Sequence, residues 1–356
     1  KIMNYIDTLP DHEMNIVYGL DADLIMLSMI RKHTIYLLRE RTEYNIENIN
    51  TNYIYCNIQL LKDHVIDSIH SKNIQISKQS LLYDYLFLCF FIGNDFIIPT
   101  PCIHIRYNGI HTLLSIYNEL QNDFNGLFFL LNDEKQIDFF NLKLFFQKIS
   151  SKEKLLIQEI LNIREKQENK FRRIFHKEIQ SLKKETNISI IKNMTYHDLF
   201  TSEEKCKDFK NHLPILFRHH ENLIFKNHNY HLKYYMSQFF NTLNYNPSYD
   251  DLLQINIKNI CNEYLKSLQW TVNYYFNDCV SWRWYYKYHF APLVIDLYNH
   301  IDDYHCNFKK DIPYTPKEQL KIVLPLQNDS YYYPNDTPIH SLLKRYLWEC
   351  HSIMLH

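Results

Sequence analysis

Residues Asn15-Ile16-Val17-Tyr18-Gly19-Leu20-Asp21-Ala22-Asp23-Leu24-Ile25-Met26-Leu27 pass from an apolar run through a glycine into two acids and then into a second apolar run. That order predicts a strand over 15–18, a close turn, and a helix over 23–30. Thr34-Ile35-Tyr36-Leu37-Leu38-Arg39 supplies a second, mainly apolar strand. A strand-helix-strand rhythm of this kind implies a parallel, Rossmann-like sheet. Such sheets present their chemistry at the carboxyl ends of their strands, where Asp21 and Asp23 stand. Magnesium suits that place because it takes hard oxygen ligands, usually one or two carboxylates with waters and substrate phosphates. An Asp at a helix start also serves as a cap, and this stretch alone leaves both roles open.

After Arg39 the pattern turns mostly helical. Ile58, Leu61, Val65 and Ile69 recur at helical spacing. Residues 80–92 are apolar nearly all round and read as a buried helix. It ends in Gly93-Asn94-Asp95-Phe96, and Pro99 and Pro101 forbid its continuation. Asp95 therefore emerges from a rigid support, although Gly-Asn-Asp is equally the composition of a plain turn. A helix is expected over 109–120, while the aromatic-rich residues 126–148 are ambiguous. From Lys152 to about Lys184 the chain is helical and charged, with Leu155, Ile160, Ile163, Phe171, Ile174 and Ile179 as its apolar stripe. Its central Arg164, Lys166, Lys170, Arg172, Arg173 and Lys177 fit a solvated face with internal ion pairs, or else an RNA backbone. His219-His220 have no other ligand at metal-binding spacing, and a firm helical pattern returns over 250–276.

Trp270 to Tyr288 contains three of the four tryptophans, interleaved with Arg283, Lys287 and, just beyond, His289. Aromatic faces beside cations make a platform for stacked bases. Trp270 and Tyr274, at helical spacing, are expected in the core. Ser281-Trp282-Arg283-Trp284 follows the helix and is better placed for a site.

Composition limits the alternatives. The 356 residues carry 39 basic and 40 acidic side chains, so no overall cationic field advertises a nucleic acid and any such binding is local. A hydrophobic fraction of 46% is that of a globular protein. The eight cysteines include no Cys-x-x-Cys pair, which argues against a zinc knuckle and for free thiols in a reducing compartment. The start lacks the features of a signal peptide, and the most apolar run, 81–92, is too short to span a bilayer. The chain begins with Lys, which suggests a piece of something longer. Only four glycines and two alanines occur, and Gly19, Gly93, Ala22 and Ala291 all fall inside the stretches singled out here.

Those stretches resemble the XRN-type 5′-to-3′ exoribonucleases. The matching residues are Tyr18 to Leu27 with Leu38-Arg39-Glu40, Phe87 to Phe96 with Ile105-Arg106, and Leu265-Lys266-Ser267-Leu268-Gln269-Trp270 through Ser281-Trp282 and Tyr286-Lys287-Tyr288-His289-Phe290-Ala291-Pro292. They continue to Glu318-Gln319-Leu320 and Val323-Leu324-Pro325, with Arg164-Glu165 as a less specific match. The resemblance implies an α/β fold going to mainly α: the end of a Rossmann-like nuclease domain over 1–43, then a large helical domain over 44–356. It implies removal of mononucleotides from single-stranded RNA with a 5′ monophosphate. Asp21, Asp23 and Asp95 would be the acids of a two-magnesium site, with manganese as the alternative ion, and Trp282 or Trp284, Arg283 and His289 would contact RNA. A cytoplasmic location is expected, with the nucleus as the alternative, and no membrane association.

Departures from the family qualify this. Its members carry a segment with two metal-binding glutamates just before the position of Lys1, and further acids and a 5′-phosphate pocket upstream. The expected partner is thus a missing N-terminal nuclease segment, without which this chain should not cleave RNA. Ser267, Arg283, Lys287 and Pro99 replace the usual Gly, small polar residue, Pro and His. Two other classes remain: a non-catalytic RNA-binding or scaffold module, and a structure-specific DNA nuclease.

Overall fold

The computed structural model describes residues 2–19, 21–41, 51–69, 77–174, 224–226, 228–240 and 250–323. A short helix, α1 (Ile2–Ile6), leads into β1 (Met14–Tyr18), α2 (Asp23–Met29) and β2 (Thr34–Glu40). β1 and β2 pair in parallel, with Ile16 opposite Tyr36 and Tyr18 opposite Leu38. The strand-helix-strand rhythm of the sequence therefore folds as such. A third strand, β3 (Tyr53–Asn57), runs antiparallel to β2, giving the order β1-β2-β3. The sheet is accordingly small and mixed, where a parallel one is expected. β3 forms where the sequence suggests helix because its β-favouring tyrosines, Ile54 and Cys56 give the second edge of β2 a hydrogen-bonding partner.

Register fixes which side chains share a face. Val17, Ile35 and Leu37 are buried on the inner side. Met14, Ile16 and Tyr18 of β1 lie beside Thr34, Tyr36 and Leu38 of β2, and beyond these Tyr55 pairs with Leu38. On this outer side Met14 is 64%, Ile16 52% and Tyr18 57% exposed, so the sheet carries a broad uncovered apolar face.

The remainder is helical. α3 (Ile58–Ile69) buries Ile58, Lys62, Ile66 and Ile69, so Leu61 and Val65 flank its inner face and are only half-buried. α4 (Lys78–Phe90) is the expected all-round buried helix, opened by Ser77, whose hydroxyl accepts the Ser80 N–H. α5 (Gly109–Asp123) follows, and then α6 (Phe139–Ile174), which begins after an isolated bridge between Leu131 and Ile137. Its buried stripe is Leu142, Phe145, Phe146, Ile149, Ile157 and Ile160 with Glu153 among them, while Leu155 of the expected stripe points to solvent. The side chains of Phe171, Ile174 and Ile179, like His219-His220, lie outside the described residues. α7 (Tyr230–Phe240), α8 (Asp250–Phe276), α9 (Val294–His300) and α10 (Pro316–Val323) complete the described elements. α6 packs along α9, which also meets α8. One hydrophobic cluster runs from Met3, Val17 and Ile35 through Phe87 and Phe145 to Leu268 and Leu297, so sheet and helices share a core. No described helix is long and apolar enough to cross a membrane.

Buried carboxylates stitch this core. Asp84 on α4 accepts the Tyr117 O–H at 2.7 Å and the N–H groups of Leu130 and Leu131 at 2.8 and 2.9 Å. Glu153 on α6 accepts the N–H groups of Val294 and Ile295 at 2.7 and 3.1 Å, fixing the start of α9. Burial pushes both carboxyls up to about 7. Each therefore holds its proton more tightly folded than unfolded. The stability they confer is fully present below their ordinary values of 3.8 and 4.5 and is lost as pH rises towards 7. Urea midpoints should accordingly fall between pH 4.5 and 7, and that slope should flatten in the double variant Asp84→Asn, Glu153→Gln. Asp84→Ala strands three donors and should cost about 3 kcal/mol in the same measurement.

Candidate active site and candidate nucleic-acid interface

Gly19 at the end of β1 donates its N–H to the Leu38 carbonyl at 3.0 Å, extending the parallel ladder by one step. The acids follow. The Asp21 Oδ1 accepts the Asp23 N–H at 3.0 Å, closing a local turn before α2. One oxygen of Asp21 thus does a capping job, and its carboxylate remains exposed. Asp23, in the first turn of α2, is half-buried.

Asp95 arrives from a different part of the chain. Gly93 adopts φ of +97°, a region that side-chain-bearing residues resist, and a Cβ there would also meet the Pro99 ring at 2.9 Å. Asn94 then locks the turn, its Oδ1 accepting the N–H groups of Phe96 and Ile97 at 2.9 and 2.8 Å. The Asp95 side chain projects from this turn and is exposed. Its neighbour Phe96 wedges against Trp270 and Tyr274 of α8, with ring centroids 4.9 and 5.2 Å apart.

The three acids interact. The Asp23 carboxyl is held above the usual carboxylate range, first by burial and then by the negative charges of Asp21 and Asp95. The Tyr275 hydroxyl acts the other way, favouring the charged form of Asp23. Among the described residues, no three His, Cys, Asp or Glu side chains are close enough to hold a single ion. Exposed and half-buried carboxylates with oxygen donors alone suit a hydrated magnesium ion on one or two of them, rather than an ion enclosed by protein.

Beyond the acids lies the aromatic block. Trp270 is in the core, as its spacing predicts, and donates its Nε1–H to the Ser281 carbonyl at 2.8 Å. Tyr274 departs from expectation: its ring stacks on Trp270 at 5.2 Å and 7°, but its other side stays 37% exposed. It sits near the end of α8, where no further turn of helix covers it. The loop 281–284 folds around Asp311, whose carboxylate accepts the Ser281 hydroxyl at 2.7 Å and the N–H groups of Trp282 and Arg283. Arg283 turns away to lie over Tyr314 at 4.8 Å. Trp284 is half-buried against Trp270 and Phe308 with Lys266 over its ring, whereas Trp282 is 50% exposed. His289 is exposed on the segment that follows. Sequence reading missed Asp311, which lies about thirty residues from the loop it fastens, and took Tyr274 for a core residue.

The chain matches the family described as the Xrn1 helical domain over residues 75–335. It belongs to that family. Among relatives, it is 23% identical to 5′-3′ exoribonuclease 2 of Arabidopsis thaliana, covering 98% of this chain and 45% of the relative. It is 25% identical to 5′-3′ exoribonuclease 1 of Schizosaccharomyces pombe, covering 93% and 31%. It is 24% identical to 5′-3′ exoribonuclease 1 of Homo sapiens, covering 91% and 20%. The chain thus spans less than half the length of each of these relatives. The match to the Arabidopsis thaliana relative covers 98% of this chain, so it extends before residue 75 and takes in the acid-bearing stretch at Asp21 and Asp23.

Two outcomes test this arrangement. Asp311→Ala should speed hydrogen exchange at the Trp282 and Arg283 amides while leaving the α8 core protected. Gly93→Ala forces a side chain into a left-handed backbone and should lower stability by about 1–2 kcal/mol in denaturant titration.

Proposed function

We propose that this chain is the C-terminal part of the catalytic core of a magnesium-dependent 5′-to-3′ exoribonuclease, acting on single-stranded RNA with a 5′ monophosphate. The observation that carries the reading is that Asp95, from a separate part of a chain in this family, lies near enough to half-buried Asp23 to join Asp21 in raising its carboxyl. Asp21, Asp23 and Asp95 would hold the ions, two magnesium or manganese. Bound there, such ions supply an activated water and stabilise the leaving oxygen of an in-line displacement. The chain's own groups do the rest. Trp282 offers an exposed ring for base stacking, while Trp284 is packed against Trp270 and Phe308. Arg283, lying over Tyr314, and His289, on the segment after the loop, would add cationic donors near the RNA backbone.

The reading includes a missing partner: a further nuclease segment that completes the sheet and the acid set. Its support is the uncovered outer face of the sheet, since sheets with parallel pairs are normally covered on both faces. β1 is also an edge strand among the described residues, and its carboxyl end leads straight into Asp21. The incomplete acid set favours one second reading, an RNA-binding scaffold without catalysis.

A single comparison separates them. The 356-residue chain alone, incubated with magnesium and 5′-phosphorylated RNA or DNA, should degrade neither. Supplied with the coding segment that precedes Lys1, it should release mononucleotides from RNA and not from DNA, and Asp23→Asn or Asp95→Asn should abolish this. RNA binding without degradation in the extended protein establishes the scaffold instead. Trp282→Ala should weaken single-stranded RNA binding about tenfold by fluorescence anisotropy, the size of one lost base stack.

A further inference from the structure

An acid beside a surface offered to RNA is at odds with that surface, because phosphates repel a carboxylate and favour Lys and Arg. Asp311 is such an acid. It comes from the segment 308–315, between α9 and α10, and meets the 281–284 loop, about thirty residues earlier in the chain. Its oxygens are occupied there. Oδ2 accepts the Ser281 hydroxyl at 2.7 Å and the Arg283 N–H at 3.3 Å, and Oδ1 accepts the Trp282 N–H. The Ser281 hydroxyl oxygen in turn accepts the Trp284 N–H at 3.2 Å. Each backbone N–H from Trp282 to Trp284 thus ends on Asp311 or on the side chain that Asp311 holds.

Side chains tie the same two segments. The Arg283 Nε–H donates to the Ile312 carbonyl at 3.3 Å, and the guanidinium lies 4.8 Å from the Tyr314 ring centroid. Trp284 meets Phe308 edge-on at 5.8 Å. Trp282 differs from these neighbours: its backbone is held by Asp311 while its ring stays 50% exposed.

We propose that Asp311 is a positioning residue for RNA binding: by gathering the Ser281 hydroxyl and the Trp282 and Arg283 amides, it holds the backbone from which the Trp282 ring meets a base. This rests on the reading of Trp282 as a stacking residue. A loop fastened before RNA arrives loses less conformational freedom on binding, and preorganisation of that kind raises affinity. Charge alone predicts the opposite result of removing Asp311, since deleting an anion near phosphates tightens binding. The two effects therefore differ in sign.

The test uses the whole 356-residue chain and a short single-stranded RNA carrying a 5′ monophosphate and a 3′ fluorescein. Binding is read by fluorescence anisotropy, with thermal melting in parallel. Trp282→Ala sets the scale, at about tenfold weaker. Asp311→Ala should weaken binding about threefold. It should do so only through Trp282, so the double variant Trp282→Ala, Asp311→Ala binds no more weakly than Trp282→Ala alone. Asp311→Asn, which keeps an oxygen for the Trp282 N–H and sheds the charge, should bind at least as tightly as the parent. Should Asp311→Ala melt well below the parent, Ser281→Ala takes its place, with the same loss and the same dependence on Trp282 expected. Binding as tight as the parent or tighter, or an equal loss with and without Trp282, overturns the positioning role and leaves stacking by Trp282 standing. If Trp282→Ala binds like the parent, or the parent binds no RNA, the stacking reading fails and the positioning role fails with it.

Discussion

The end of α8 is the constraint on which the site depends. Phe96 is clamped by Trp270 and Tyr274, and Phe90 packs on Tyr275, so the turn that carries Asp95 has one place to sit. Aromatic pairs of this kind contribute about 0.5–1.5 kcal/mol each beyond the area they bury. Without that packing the two acid-bearing segments, some seventy residues apart, have no reason to meet.

The protein divides its acids by how they are satisfied. Asp84, Glu153 and Asp296 are buried and fully engaged: the first two by paired backbone N–H groups, and Asp296 by His231 and the Tyr235 hydroxyl. Their work is internal, tying α4 to the loop before α6 and α9 to α6 and α7. Asp311 does the same at the surface, gathering the amides of the 281–284 loop. Asp21, Asp23 and Asp95 differ. They remain exposed or half-buried, and their neighbours include one another. Exposed charge of that kind is solvated by water and stays accessible to a cation, the role proposed for it above.

Two surfaces flank the cluster, and they differ in character. On one side the backbone of the 281–284 loop is fastened by Asp311 and the Trp282 ring is half-exposed. On the other, the outer side of the sheet exposes Met14, Ile16 and Tyr18 next to Tyr55. An apolar face of that breadth on strands is costly in water, and the chain is less than half as long as the relatives it matches. In the proposed reading the first surface meets RNA and the second meets more polypeptide.

The sequence by itself determined the local elements near the acids: the strand-helix-strand unit, the buried α4, its arrest at Gly93, and α8 from Asp250 to Phe276. Each is written in spacing, β-favouring residues or a residue with one allowed backbone, and such signals act over a few residues. It also carried the family, through motifs long enough to need no structure. Tertiary structure decided the rest. β3 arose from an open strand edge, the inner stripe of α6 from the neighbours it met, and the half-exposure of Tyr274 from where α8 ends. The fastening by Asp311 and the packing of Phe96 on Trp270 and Tyr274 have no local signal, because each is a relation between segments that only packing brings together.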